Sequence, residues 1–397
     1  MSKIHVTPIP NAPVEGFGVI VTGVDPGNLS DEDFKEIEKL LYKHSIVLFQ
    51  NVNLDPEQQY KLTKRFDPNC DDVYGHGNNK TGEQVKSILH PDLKTIPTQP
   101  QVQLIGNGIP TEPHITRGLD RPQLKHPHHK TFHKTVISDE DEDKGYTRFY
   151  RWHIDAALYN LNPPKITTLH ALKVPKGGKQ TVRYDDGTND ELQVPLGTTA
   201  FVSGRKMFDI LPPELKSIAV RSKVRYAPHP YVWMTPAKAH STGLRIECDN
   251  LEVPKDKLPS WEESKIKTYP MVWVNPETDE LHFQVHPCGV EAIIIDPIKS
   301  EDKSIDKDAL YPDGATLTDL EEVRGLLYKM QRPAITPKLV YAHDWTEKDL
   351  VIFHNRGVLH SVVGAFKSDQ VRSFWQCNLA SPSVPQGPSP AQVSAYA

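Results

Sequence analysis

The stretch Arg151-Trp-His-Ile-Asp-Ala-Ala157 decides how the rest of the 397-residue chain is read. Its pattern predicts a strand over Arg148 to Ile154, on which His153 and Asp155, two residues apart, leave the same face. An imidazole and a carboxylate can then meet one ion. Alone the pair is weak, because in a chain with 18 histidines about one His-x-Asp match is expected by chance. His90-Pro-Asp92 is a second match, but the intervening proline and the loop around it give those side chains no shared face.

The support lies far downstream. Asp349-Leu-Val-Ile-Phe-His-Asn-Arg-Gly-Val-Leu-His360-Ser-Val reads as strand, Asn-Arg-Gly turn, strand, and puts His360 on the second strand of a hairpin. Two imidazoles and one carboxylate, with no thiolate, form the facial set that suits Fe(II) and leaves positions open; a closed structural zinc site is disfavoured. Arg372 follows on the next strand, where its planar fork of donors suits a carboxylate in a way lysine does not copy.

Around these residues the pattern is mainly β with flanking helices. A helix is expected from about 30 to 43, a buried strand over Ser45 to Gln50, and a second helix opened by Asp55-Pro56. Between 67 and 145 the composition turns to Pro, Gly, Asn, His and charge, with one alternating strand, Gln101 to Ile105. This is a lid-like insertion. It holds His76, His90, His114, His126, His128, His129 and His133, yet without paired cysteines or a His-bearing helix a structural metal is not expected there. Beyond Thr147 come short strands, expected at Ile166 to Val174, Thr198 to Ser203, Ile218 to Arg225, Leu350 to His354, Val358 to Val363 and Arg372 to Leu379, among others. A late helix is opened by Thr318-Asp-Leu-Glu321. Residues 1 to 383 are read as one domain and 384 to 397 as a loose Pro/Ser-rich tail.

Composition bounds the partners. With 46 basic against 51 acidic residues and a net charge of -5, there is no positive excess for phosphates, so nucleic acid is not expected. Four dispersed cysteines argue against a disulfide framework. No run of 18 apolar residues and no apolar leader are seen, so a cytoplasmic protein with no membrane span is expected. Oligomeric state is left open, a homo-oligomer included.

The words Trp152-His-Ile-Asp155, Val174-Pro-Lys-Gly-Gly178 running on to Thr181, Leu211-Pro-Pro-Glu-Leu215, and Asn355-Arg-Gly-Val-Leu-His360 followed by Arg372 resemble the Fe(II)- and 2-oxoglutarate-dependent dioxygenases of the taurine dioxygenase type. The resemblance implies a double-stranded β-helix, the jelly-roll or cupin-like core. It implies His153, Asp155 and His360 on iron, and Arg372 with Thr181 on the far carboxylate of 2-oxoglutarate. Here the chain has one residue more between the glycine pair and Thr181 than the family pattern. The activity implied is hydroxylation of a small molecule with O2, releasing succinate and CO2.

For the substrate, Gln376 with Asn378, and Gln101 with Gln103, are carboxamides paired on strands, and such groups present donor and acceptor together to a flat heterocycle. Arg372-Ser-Phe-Trp-Gln-Cys-Asn378 and the Leu124 to Lys134 stretch look like the fungal branch of the family that hydroxylates xanthine at C8 to urate. On that resemblance the four carboxamides are substrate contacts, with Lys125, Lys134, Asp141 and Glu142 as weaker candidates. The competing expectations are the same chemistry on a sulfonate, sulfate ester or other small molecule, and a jelly-roll module that binds metal without turnover.

Overall fold

The computed structural model describes residues 3–70, 94–298, 310–367 and 369–396. His76 and the His90-Pro-Asp92 pair lie outside the described residues.

Two sheets carry the site. The larger has eight strands, in the order His5–Pro8, Val19–Thr22, Ile46–Phe49, Leu350–His354, Ile166–Lys173, Arg372–Asn378, Gln99–Asn107 and Lys94–Ile96. Its neighbours are antiparallel except for Val19–Thr22 beside Ile46–Phe49. The smaller runs Tyr341–His343, Thr199–Ser203, Val358–Val362. Leu169, Phe353 and Phe374 of the first sheet share one apolar cluster with Phe201, Tyr341 and Val358 of the second. Period-two alternation puts those side chains on the inner faces, and burying them closes the sandwich. This is the double-stranded β-helix.

Helices cover the outside of the large sheet. Asp31–His44 starts after Ser30, whose hydroxyl accepts from the Asp33 amide, and buries Phe34, Ile37 and Leu41. Pro56–Arg65 has a full capping box between Asp55 and Gln58. From it the buried Gln59 amide donates to Thr168 O at 3.3 Å and Trp375 O at 3.1 Å, tying the helix to the two strands that bear the site.

The strand bounds follow the expected ones closely at Leu350–His354 and Arg372–Asn378. Three local readings are corrected. Ile218 to Arg225 divides into a helix, Pro213–Arg221, and a strand, Ser222–Tyr226. Pro212-Pro213 starts that helix, and Leu215, Ile218 and Ala219 form its buried face, so the β-branched Ile218 and Val220 misled the reading. Arg148 to Ile154 forms only isolated antiparallel bridges, Phe149 to Val363 and His153 to His360, along the edge of the small sheet. The tail is not loose: Ser383 O accepts from Arg356 at 2.7 Å, Gln386 O from Val274 N at 2.9 Å, and the helix Pro390–Tyr396 sets Tyr396 5.1 Å from Phe208. The segment from 225 to 310 contributes to a four-stranded sheet in the order Thr268–Pro270, Ser222–Tyr226, Val290–Ile295, Ala315–Leu317.

Candidate active site

His153 and His360 are brought together by backbone. Each donates its amide to the other's carbonyl at 3.0 Å, so two residues about two hundred positions apart become a bridge on the edge of the small sheet. Their rings lie 4.1 Å apart. The turn between the two hairpin strands holds Asp155. Asn355 Oδ1 accepts from Asp155 N at 2.8 Å while Asn355 Nδ2 donates to Asp155 O at 2.8 Å. Gln284 in turn donates to Asn355 O and Val358 O, fixing the turn. Gly357 is required there, since a Cβ would stand 2.4 Å from His354 Nδ1.

The two oxygens of Asp155 are used differently. Oδ1 faces the imidazoles, 3.5 Å from His360 Nε2 and 3.9 Å from His153 Nε2. Oδ2 accepts from Thr167 Oγ1 at 2.7 Å, Asn378 Nδ2 at 3.0 Å and Gln376 Nε2 at 3.2 Å. Register explains the convergence, because Asn378 is directly opposite Thr167 across the large sheet. Burial alone would raise the Asp155 carboxyl, but the imidazole of His360, then that of His153 and the Thr167 hydrogen bond, bring it below the ordinary range. Burial, then the neighbouring His360, pushes His153 down to about 4. His153 Nδ1 lies 2.7 Å from Arg151 O, which requires the proton on Nδ1 and leaves the Nε2 lone pair facing the carboxylate. The three donor atoms lie within 4.8 Å of one another. A second imidazole from His360, a neutral His153 of fixed tautomer and an ionised carboxylate are donors that suit a divalent iron, so this set fits one.

The cluster opens on a cavity of about 210 Å³, whose wall also includes Lys125, His126, Thr199, Arg372, Gln376 and Asn378. Arg372 is buried, and burial pushes its pKa down to about 9. Its Nε donates to Gly197 O at 3.1 Å and its Nη2 to Thr199 Oγ1 at 3.5 Å, with the guanidinium 3.9 Å from the Phe374 ring centroid. Gly197, at φ +79°, lets that carbonyl approach. The fork is therefore held in one plane against the cavity, as recognition of a carboxylate needs.

Other expected site residues are placed elsewhere. Thr181 is on Gln180–Arg183, opposite Gln193, and is not part of the cavity wall; the hydroxyl beside Arg372 is that of Thr199. Val182, its neighbour, fills the core, which turns Thr181 to the other face of its strand. Gln103 is opposite Gln376, but its amide is engaged with Pro100 O and Thr95 Oγ1. Gln101 accepts from Gln99. Neither is in the wall of the cavity. Lys134 pairs with Asp249, Asp141 with Arg183, and Glu142 lies against His128, His129 and Lys130. Lys125 is in the wall.

Sequence reasoning missed four residues. Besides Thr199, His126 lines the cavity with a buried Nε2 that has no hydrogen-bond partner among the described residues and with Nδ1 2.8 Å from Pro127 O. Tyr231 donates to Ala156 O at 2.9 Å and stands 3.4 Å from His286 Nε2, closing the wall next to Asp155. No spacing relates any of them to the His-x-Asp word.

The chain belongs to the taurine catabolism dioxygenase TauD, TfdA family, whose model matches residues 5–378. It is accordingly a 2-oxoglutarate-dependent dioxygenase that uses Fe(II). The alpha-ketoglutarate-dependent xanthine dioxygenase of Emericella nidulans is 52% identical over 383 residues, covering 96% of this chain and 97% of that protein. The Neurospora crassa enzyme of the same description is 52% identical over 391 residues, 96% of this chain and 88% of its own. Among solved structures, a taurine dioxygenase from Burkholderia xenovorans has a TM-score of 0.55 at 16% identity, covering 100% of both chains. AAD-2 in complex with Mn(II) and N-oxalylglycine has a TM-score of 0.55 at 15% identity, covering 97% of this chain and 100% of that one. Both likenesses concern the fold. Among the described residues no helix is long and apolar enough to cross a membrane.

Proposed function

We propose that this chain hydroxylates xanthine to urate, with His153, Asp155 and His360 holding Fe(II) and Arg372 with Thr199 holding the far carboxylate of 2-oxoglutarate. The observation that carries the reading is the division of labour at Asp155, one oxygen turned to two imidazoles and the other held by three donors beside an arginine-lined cavity. The bound metal supplies O2 activation, with 2-oxoglutarate as reductant leaving as succinate and CO2 while one oxygen atom enters the substrate.

The chain's own residues position the reactants. Thr167, Gln376 and Asn378 keep Asp155 from rotating, and Arg151 O keeps the His153 proton on Nδ1. Arg372 offers a paired donor fork to a carboxylate and keeps the keto acid in one orientation. For a flat oxopurine, Lys125 is a donor toward a ring carbonyl and His126 Nε2 an acceptor for a ring N–H, both in the cavity wall. Gln376 and Asn378 line that cavity together with Asp155 and donate to its Oδ2, so substrate and carboxylate share them. The Emericella and Neurospora relatives, described as xanthine dioxygenases and 52% identical over almost the whole chain, support the same substrate. The same reading takes residues 1–383 as one dioxygenase domain that works in the cytoplasm.

The test is an aerobic assay of the purified chain with Fe(II) and 2-oxoglutarate, xanthine in one arm and taurine in the other. Urate absorbance with matching succinate release is expected only with xanthine. Turnover of taurine alone would overturn the substrate, and absence of the visible band of an Fe(II) and 2-oxoglutarate complex under anaerobic conditions would overturn the chemistry.

A further inference from the structure

A second group of metal-type donors lies in the insertion. His128 and His129 sit at the start of the short helix His129–Phe132, and Glu142 reaches them from the helix Asp139–Asp143. One ligand atom from each lies within 4.8 Å of the others. His129 Nε2 is 3.2 Å from Glu142 Oε2, and His128 Nε2 is 3.5 Å from Glu142 Oε1. Donors about 2.0 to 2.1 Å from a tetrahedral ion stand about 3.3 Å apart, so both spacings suit the edges of such a polyhedron.

The independent observation is His129 itself. Its side chain is 1% exposed, and neither ring nitrogen makes a hydrogen bond among the described residues, although Nε2 points into the cluster. Apart from that approach to Glu142, a buried imidazole with no hydrogen bond is costly unless something else completes it. One competitor is present: Lys130 Nζ lies 3.0 Å from Glu142 Oε2 and also pairs with Asp139, so it has a second anion to retire to.

We propose that His128, His129 and Glu142 form a second divalent-metal site of the Zn2+ class, with Lys130 as its displaceable counter-ion. Two imidazoles and one carboxylate leave a fourth, open position for water. The site is separate from the Asp155 centre and does not depend on which substrate that centre takes. Its role follows from its neighbours. His126 and Pro127, two and one residues before His128, line the catalytic cavity, and the helix bearing Glu142 leads into Tyr146–Thr147 beside Gln180–Arg183. A bound ion would pin the cavity-lining segment to that side of the molecule.

The experiment uses the full-length chain carrying Asp155→Ala, which disables the iron centre, titrated with Zn2+ by calorimetry and checked by elemental analysis. One Zn2+ per chain is expected. Affinity should fall at least tenfold when His128→Ala or Glu142→Gln is added, and rise when Lys130→Met is added. His128→Ala keeps the test informative if changes at the buried His129 unfold the chain, because the His128 side chain is a third exposed. Hydrogen exchange over residues 124–132 should slow when Zn2+ binds. No Zn2+ bound to the Asp155→Ala chain, binding indifferent to His128→Ala, or zinc-edge anomalous density elsewhere, for example at the free cysteines, would overturn the site. Unchanged exchange over 124–132 would overturn the tether.

Discussion

The two clusters of donors present nearly the same chemistry, two imidazoles and a carboxylate, in two unlike regions of the molecule. At Asp155 every donor is held by something else. Asn355 clamps the backbone of the carboxylate, three side chains hold its outer oxygen, and the histidines are joined amide to carbonyl in a sheet. At Glu142 the donors come from two short helices of the insertion, and a lysine shares the carboxylate. Ligand type alone does not separate a permanent centre from an adjustable one. The groups that hold the donors do, because they set how much ordering is left for the metal to impose.

The largest effect that would break this comparison is at Asp155. Asp155→Ala should lose iron binding and turnover together, measured as metal content and urate formation, because the remaining imidazoles carry no compensating charge. If iron stayed bound, the rigid centre would not be where the geometry points. Next is Arg372→Lys, expected to raise KM for 2-oxoglutarate about 10- to 100-fold with a smaller change in kcat, since a point charge replaces a paired fork. A change confined to KM for xanthine would move the clamp elsewhere.

The comparison is sharpened by Gln376→Ala and Asn378→Ala. If these amides chiefly orient Asp155, each should weaken iron binding by about tenfold, the low end for groups that hold a metal ligand. A change in KM for xanthine with iron affinity intact would make them substrate contacts instead. The smallest effect is expected far from both clusters. Removing residues 384–397 takes away the Pro390–Tyr396 helix and should cost about 1 to 2 kcal/mol, read as a lowered Tm with iron affinity unchanged. An unaltered Tm would show that its packing on Phe208 contributes nothing.

Much of the core was legible because its signals are local. Short apolar runs bounded by turns marked Leu350–His354 and Arg372–Asn378, whereas the convergence of His153 and Asp155 rests on the bridge to His360 and the Asn355 clamp and not on a strand of their own. Helix starts at Ser30 and Asp55 were read from capping chemistry for the same reason. Ile218 to Arg225 reads as strand because its β-branched residues dominate the local pattern, and the helix Pro213–Arg221 that takes the first half of that stretch is settled by packing.

By itself, the sequence determined which side chains exist to meet a metal and a keto acid, and which of them leave the same face of their own strand. Only the tertiary structure decided who their neighbours are. That Thr199 and not Thr181 lies beside Arg372, that Asn355 clamps Asp155, and that His126 enters the cavity depend on which strands and loops pack together. The physical reason is that facing direction repeats with the backbone period along a single segment. Proximity between segments is set by sheet register and by the burial of apolar faces that lie hundreds of residues apart.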